Sequence, residues 1–317
     1  MRVMRSFVSS ARLAGALSLV VWLTACASAP ELDHSVTATL PQRQLLEDVP
    51  FHPQRDYQCG PATLAMVLNH AGVDVGVDQL IPEIYVPSRK GSFQPEMLAA
   101  SRRHGRIPFT LAPRFASLLE EVDAGRAVVV LQNLSLPAFP LWHFAVVNGY
   151  DLDSEEVLLR TGVTRQDATD FGRFDATWQR SERWAFVALT PGELPVTISP
   201  DVAIQATSDF ERVQGPEQSL PAWQALVDRF PEEAMGHFAL ANAYHATGQP
   251  QAAIDAWRSA VARDPSLAPA WLNLGLTLAS QGDDEEAREA LRRAASLDGP
   301  WQQSAREALN EQQGGHR

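Results

Sequence analysis

Gln54-Arg55-Asp56-Tyr57-Gln58-Cys59-Gly60-Pro61-Ala62-Thr63-Leu64-Ala65-Met66-Val67-Leu68 is the stretch whose reading decides the fold. Pro61 suits the first turn of a helix, and Leu64, Met66, Val67 and Leu68 carry that helix on toward Gly72, which would stop it. Cys59 therefore stands where a helix begins. The helix dipole and the unpaired N–H groups there favour a thiolate, so a lowered thiol pKa is expected. Gly60 leaves room for a substrate backbone. The Cys59 N–H can point at a developing oxyanion, and a side-chain amide reaching back from upstream would be a second donor. Losing one such donor costs about 10²–10³ in rate. Gln54 is placed for that task, whereas Gln58 is too close to Cys59 in sequence to fold back on it.

A thiol nucleophile needs a base, and the chain has eight histidines. His34, His237, His245 and His316 belong to the N-terminal tether, the C-terminal half or the terminus. His70 ends the Cys59 helix, about 16 Å away at 1.5 Å per residue, too far to take its proton. His52 lies in the approach to the helix and His104 in an Arg-rich stretch. His143 remains, at the head of the apolar run His143-Phe144-Ala145-Val146-Val147. That run, residues 127–131, 156–160 and 183–189 read as strands of an antiparallel sheet. Residues 94–103 and 115–122 read as further helices. Helix first and strands after imply an α+β fold over residues 45–192.

Two segments together, Gln54 to Leu68 and Trp142-His143-Phe144-Ala145-Val146-Val147-Asn148-Gly149-Tyr150-Asp151, carry a family likeness. They resemble the papain-like cysteine peptidases of the bacteriocin-processing, double-glycine-leader type, especially stand-alone forms without a transporter. Lipoprotein forms with a tetratricopeptide tail are similar along the whole chain. The resemblance implies Cys59 as nucleophile, His143 as general base and Gln54 in the oxyanion hole. In that family an Asp on the strand after the histidine strand orients the imidazole. Here the matching stretch, Leu158-Leu159-Arg160-Thr161-Gly162, has no acid. Thr161 is left as third member through its hydroxyl, while Asp151 and Asp153 read as hairpin-turn residues.

Residues 193–218 carry Pro195, Pro200, Gly215 and Pro216 and read as an interdomain linker. Beyond it, at 219–313, a period of 34 appears: His237, Leu240, Ala241, Gly248 and Ala253 recur as Trp271, Leu274, Gly275, Gly282 and Ala287. This pattern resembles tetratricopeptide repeats, with two full repeats, a preceding half-repeat helix from about 219 to 230 and a capping helix from about 300 to 312. Such arrays imply an all-α domain that recruits a protein partner or substrate.

At the other end, Arg2, Arg5 and Arg12 precede an apolar stretch that is shorter than the roughly 20 residues a spanning helix needs. Residues 1–25 read as a signal peptide. Leu23-Thr24-Ala25-Cys26 resembles the lipobox of bacterial lipoproteins, which implies cleavage before Cys26 and its lipidation. Residues 26–44 then form a tether, and Ala27 implies outer-membrane delivery facing the periplasm. With Cys26 acylated, Cys59 is the one free thiol of the chain and no disulfide can form.

The net charge is −12, and −15 once the three arginines of residues 1–25 are gone. That balance argues against nucleic acid as a partner. No His/Cys/Asp grouping has zinc spacing and no phosphate-cradling glycine loop occurs, so neither metal nor cofactor is expected. The expected activity is hydrolysis of peptide bonds in a protein or peptide substrate. An adaptor with a weak or silent peptidase-like domain is the alternative, and acyl transfer on the same Cys-His pair a third.

Overall fold

The computed structural model describes residues 30, 32, 34–54 and 58–314. The expected signal peptide, Cys26 and residues 27–29, 31 and 33 of the expected tether lie outside the described residues. The tether's last part does not stay free of the domain. It carries a short helix α1 (His34–Thr37) and enters strand β1 (Arg43–Leu45), which pairs with the far end of β4 through Leu45 opposite Gly149 and Arg43 opposite Asp151.

Helix α2 (Cys59–His70) runs through the domain's centre, with nine consecutive residues from Gly60 to Leu68 buried. A helix apolar all round cannot sit on a surface, and this one is enclosed on every side. It is followed by α3 (Val77–Ile84), α4 (Gln94–Arg103), β2 (Ile107–Thr110), α5 (Phe115–Asp123) and β3 (Val128–Asn133). Next come β4 (Trp142–Asp151), β5 (Glu156–Thr161), β6 (Thr164–Asp170), α6 (Phe171–Trp178) and β7 (Ala185–Leu189). The strands form one seven-stranded sheet in the order β2-β7-β3-β4-β5-β6, with β1 also on β4. Its described pairings are antiparallel. β3 and β7 are buried along their whole length, so both faces of the sheet are covered, and α2 and α5 both pack on β4. The expected strands are all present, each with a shifted start or a longer end. β1, β2, β6, α3 and α6 were not foreseen.

The expected linker 193–218 is the main correction. It holds helix α7 (Pro200–Gln214), whose Ala206 and Phe210 belong to the core of the sheet domain. Pro200 and Pro216 mark helix starts, not an open connector. The segment ahead of α7 is also fastened: the Val196 N–H donates to the Glu121 carboxylate at 2.6 Å. Glu121 is fully buried, and burial pushes its carboxyl up despite the Arg126 guanidinium 3.0 Å away. On α4, Arg102 pairs with Asp209 of α7 at 3.0 Å.

Beyond α7 lie α8 (Pro216–Arg229), α9 (Ala234–Ala246), α10 (Pro250–Arg263), α11 (Ala268–Gln281), α12 (Asp284–Ser296) and α13 (Gln302–Gly314). The expected half-repeat helix is α8, and its partner is α7, so the array starts with a complete helix pair. Trp223 and Trp257 are buried in the packing between helices, as their repeat positions imply. Gly275 permits the closest approach in the second full repeat. A Cβ there would lie 2.7 Å from Leu291 Cγ and 3.1 Å from the Ala287 carbonyl. Gly275→Ala is therefore expected to destabilise the protein by about 1–3 kcal/mol through overpacking. Denaturant unfolding checks this, and an unchanged midpoint would contradict it.

Candidate active site

β5 stops pairing with β4 early: the last partnered residue toward the β3–β4 turn is Val146, opposite Arg160. On β4's other side Phe144 faces Leu131, but the Leu131 N–H goes to the Trp184 carbonyl instead. Phe144 thus keeps both its N–H and its C=O for groups outside the sheet, and α2 presents those groups. The Phe144 N–H donates to the Cys59 sulfur. The Phe144 carbonyl accepts from Thr63 Oγ1 at 3.2 Å and from Gln54 Nε2 at 3.4 Å. Gln54 is held in turn by its own N–H on the Gly162 carbonyl, 2.9 Å, just past the end of β5.

The structure therefore gathers Cys59 and Gln54 around the backbone of Phe144, the residue beside His143. His143 Nε2 lies 2.7 Å from Thr161 Oγ1, so the hydroxyl singled out in the sequence does meet the imidazole. No hydrogen bond links the thiol and the imidazole directly among the described residues. The other candidates are elsewhere. Gln58 caps α2 with no side-chain hydrogen bond to the helix. Asp151 accepts from the Asp153 and Ser154 N–H groups, the turn role expected of it. His52 is bound to Asn69, His104 to Glu83, and His70 to Asp48 and the Gly125 carbonyl.

Two expectations need correction. Burial raises the Cys59 thiol pKa, outweighing hydrogen bonds from the Phe144, Gly60 and Cys59 N–H groups that lower it. Desolvation penalises the charged form more than the helix start favours it, so the resting thiol is not activated by the helix alone. Gly60, in turn, is buried, and a Cβ there would lie 2.6 Å from Ser92 Cβ. The glycine makes room for the Ser92 segment, not for a substrate backbone. Burial also lowers the His143 pKa, which keeps the imidazole neutral and able to take a proton.

Sequence reasoning missed Thr63. It lies four residues after Cys59, on the same face of α2 one turn along, and it accepts from Gln54 Nε2 at 3.3 Å while donating to Phe144. Its helical spacing from Cys59 was the available signal. Among the described residues no cluster of His, Cys, Asp and Glu could hold a metal ion, and no helix is long and apolar enough to cross a membrane.

The chemistry available to this arrangement is nucleophilic. The imidazole of His143 is neutral, N–H groups of the helix start face the part-buried sulfur of Cys59, and a primary amide stands on the other side of Phe144. Comparison with known proteins finds matches for both parts of the chain. Residues 46–186 match the Peptidase_C39 like family, and residues 208–268 and 246–305 match the tetratricopeptide repeat. Among solved structures, a C39-like peptidase from Bacillus anthracis is 19% identical, with 47% of this chain and 98% of that one covered at a TM-score of 0.42. MamA is 23% identical over 37% of this chain and 68% of its own, at 0.35. The TPR2B domain of yeast Sti1, in its complex with pHsp70, is 17% identical over 37% of this chain and 97% of that one, at 0.35. No curated protein matches the chain. The chain thus joins a segment similar to the Peptidase_C39 like family to a run of tetratricopeptide repeats.

Proposed function

We propose that the chain is a cysteine peptidase whose Cys59 attacks a peptide carbonyl while His143 takes the thiol proton and returns it to the leaving amine. The observation that carries this reading is the backbone of Phe144, next to His143, whose N–H meets the Cys59 sulfur and whose C=O meets the Gln54 amide. In this reading the His143 Nε2–H donates to Thr161 Oγ1, 2.7 Å away, which leaves Nδ1 as the base. With the thiol raised and the imidazole lowered, the resting pair is neutral. Proton transfer accompanies attack. The Cys59 N–H and one Gln54 amide hydrogen, released from Thr63 or Phe144, hold the oxyanion.

A second reading has its own observation. Thr161 is a weaker partner for the imidazole than a carboxylate, and the thiol carries no resting charge, both of which suit an adaptor with a quiet peptidase-like domain. Turnover separates the two. Peptide hydrolysis that disappears with Cys59→Ala, in a protein with unchanged circular dichroism, is the outcome expected of the peptidase. Hydrolysis that persists in that variant, or none in the parent protein over a broad peptide mixture, would sink it.

The pH profile follows from the site. Since burial holds the His143 pKa down, the acid limb of kcat/KM is expected below the ordinary histidine value of about 6.5. Thr161→Asp places a negative charge on Nε2, favours the imidazolium and should move that limb upward. A parent limb at or above that ordinary value, or one that Thr161→Asp leaves in place, would contradict the assignment.

The repeats are read as the part that recruits a protein partner, and the N-terminus as a lipid anchor on Cys26 that fixes the chain to the outer membrane on its periplasmic side. Metabolic labelling with an alkynyl fatty acid, expected in the parent and lost in Cys26→Ser along with membrane sedimentation, checks the anchor. Equal labelling of both proteins would reject it.

A further inference from the structure

Three segments next to the site put large apolar side chains into solvent. Trp142, directly before His143, is 49% exposed, and the turn it closes carries Leu136, Phe139 at 77% and Leu141. Val163, two residues past Thr161, is 79% exposed. Phe93 is exposed beside Ser92, the residue packed on Gly60. Trp142, Val163 and Phe93 thus each sit within two residues of a group that forms or supports the Cys59 environment, and Leu136, Phe139 and Leu141 share the turn that Trp142 closes. Isolated exposed hydrophobics are ordinary, but a set grouped around one candidate cleft marks a contact surface.

The turn between β3 and β4 is braced for this exposure. Buried Asn133 accepts from the Ser135 N–H at 3.0 Å and the Leu141 N–H at 2.9 Å through its side-chain oxygen. Arg180 donates to the Asn133 and Ser135 carbonyls at 2.9 and 2.8 Å. Leu134 N–H to the Leu141 carbonyl and Phe139 N–H to the Leu136 carbonyl close the tip. Residues 134–142 carry no charged side chain. A rigid apolar tip keeps the ordering cost of binding low.

We infer that this rim is the substrate-docking surface, and that it takes an extended, uncharged peptide segment with large apolar side chains flanking the bond to be cut. The inference rests on the peptidase reading for where that bond would lie. An extended peptide suits the rim because its side chains alternate, so apolar residues two apart reach the same wall. A lipid surface suits it less. The chain enters the sheet at β1, beside Asp151, at the opposite end of ten-residue β4 from Trp142, about 30 Å away. On the lipid-anchored reading, the chain's entry point thus lies at the end of β4 away from the rim.

Binding to the full chain carrying Cys59→Ala tests this without turnover. The probes are a fluorescein-labelled octapeptide with Leu and Phe at alternate positions and its counterpart with Ser at those positions. Anisotropy should show the apolar peptide binding at least tenfold tighter, and Leu136→Ser/Phe139→Ser should weaken it about tenfold with an unchanged melting temperature. Equal affinity for the two peptides, or no effect of the double substitution, would overturn the inference. So would a rim whose substitution abolishes only sedimentation with phosphatidylethanolamine–phosphatidylglycerol vesicles, or only self-association in light scattering. Should the variant melt early, Val163→Ser, on a separate turn, is expected to weaken the apolar peptide alone. Hydrolysis that fails in the parent while this binding holds defeats the peptidase reading by itself. Hydrolysis indifferent to the apolar positions defeats the docking surface by itself.

Discussion

The backbone of one residue, Phe144, holds the candidate site together. Its N–H goes to the Cys59 sulfur and its C=O to Thr63 and Gln54. A buried backbone group left without a partner costs about 1–3 kcal/mol, so these contacts are needed for stability before they are needed for chemistry. The same requirement fixes the distance between α2 and β4. It also explains why β5 must stop short: a strand continuing past Val146 would claim the Phe144 groups for itself. Thr161 and Gly162, where β5 ends, then become available to His143 and to Gln54.

The two halves of the chain are joined more firmly than a flexible tether would join them. Phe210 of α7 is buried in the sheet domain's core, Glu121 holds the Val196 N–H, and Arg102 pairs with Asp209. α7 is at once the first helix of the repeat array and a part of the sheet domain's core, which Ala222 of α8 joins as well. A partner held by the repeats would sit on a body fixed relative to the cleft, and little conformational freedom would be lost when substrate and repeats are engaged together.

Much of this was legible in the sequence, for reasons that attach to particular residues. Cys59 followed by Pro61 announces a helix start, and His143 heads a β-branched run that only a buried strand accommodates. The period of 34 is visible because each repeat needs small residues such as Ala241 and Gly275 at the same place. β1, β2 and β6 escaped notice because two have three and four residues, and β6 is a polar edge strand with no apolar alternation. α7 hid behind its flanking prolines. The thiol's direction of shift was misread because burial comes from tertiary packing around α2, which no local pattern encodes. Phe144's part was invisible for a simpler reason: its backbone acts, and any residue would supply the same groups.

The central claim is that Cys59 and His143 act as one unit. Intact-mass kinetics with a peptidyl vinyl sulfone test it most directly, comparing the parent chain with His143→Ala. The account predicts a single adduct, mapped to Cys59, that forms at least about 100-fold more slowly without the imidazole. Equal rates in the two proteins, or an adduct that forms only after denaturation, would contradict it.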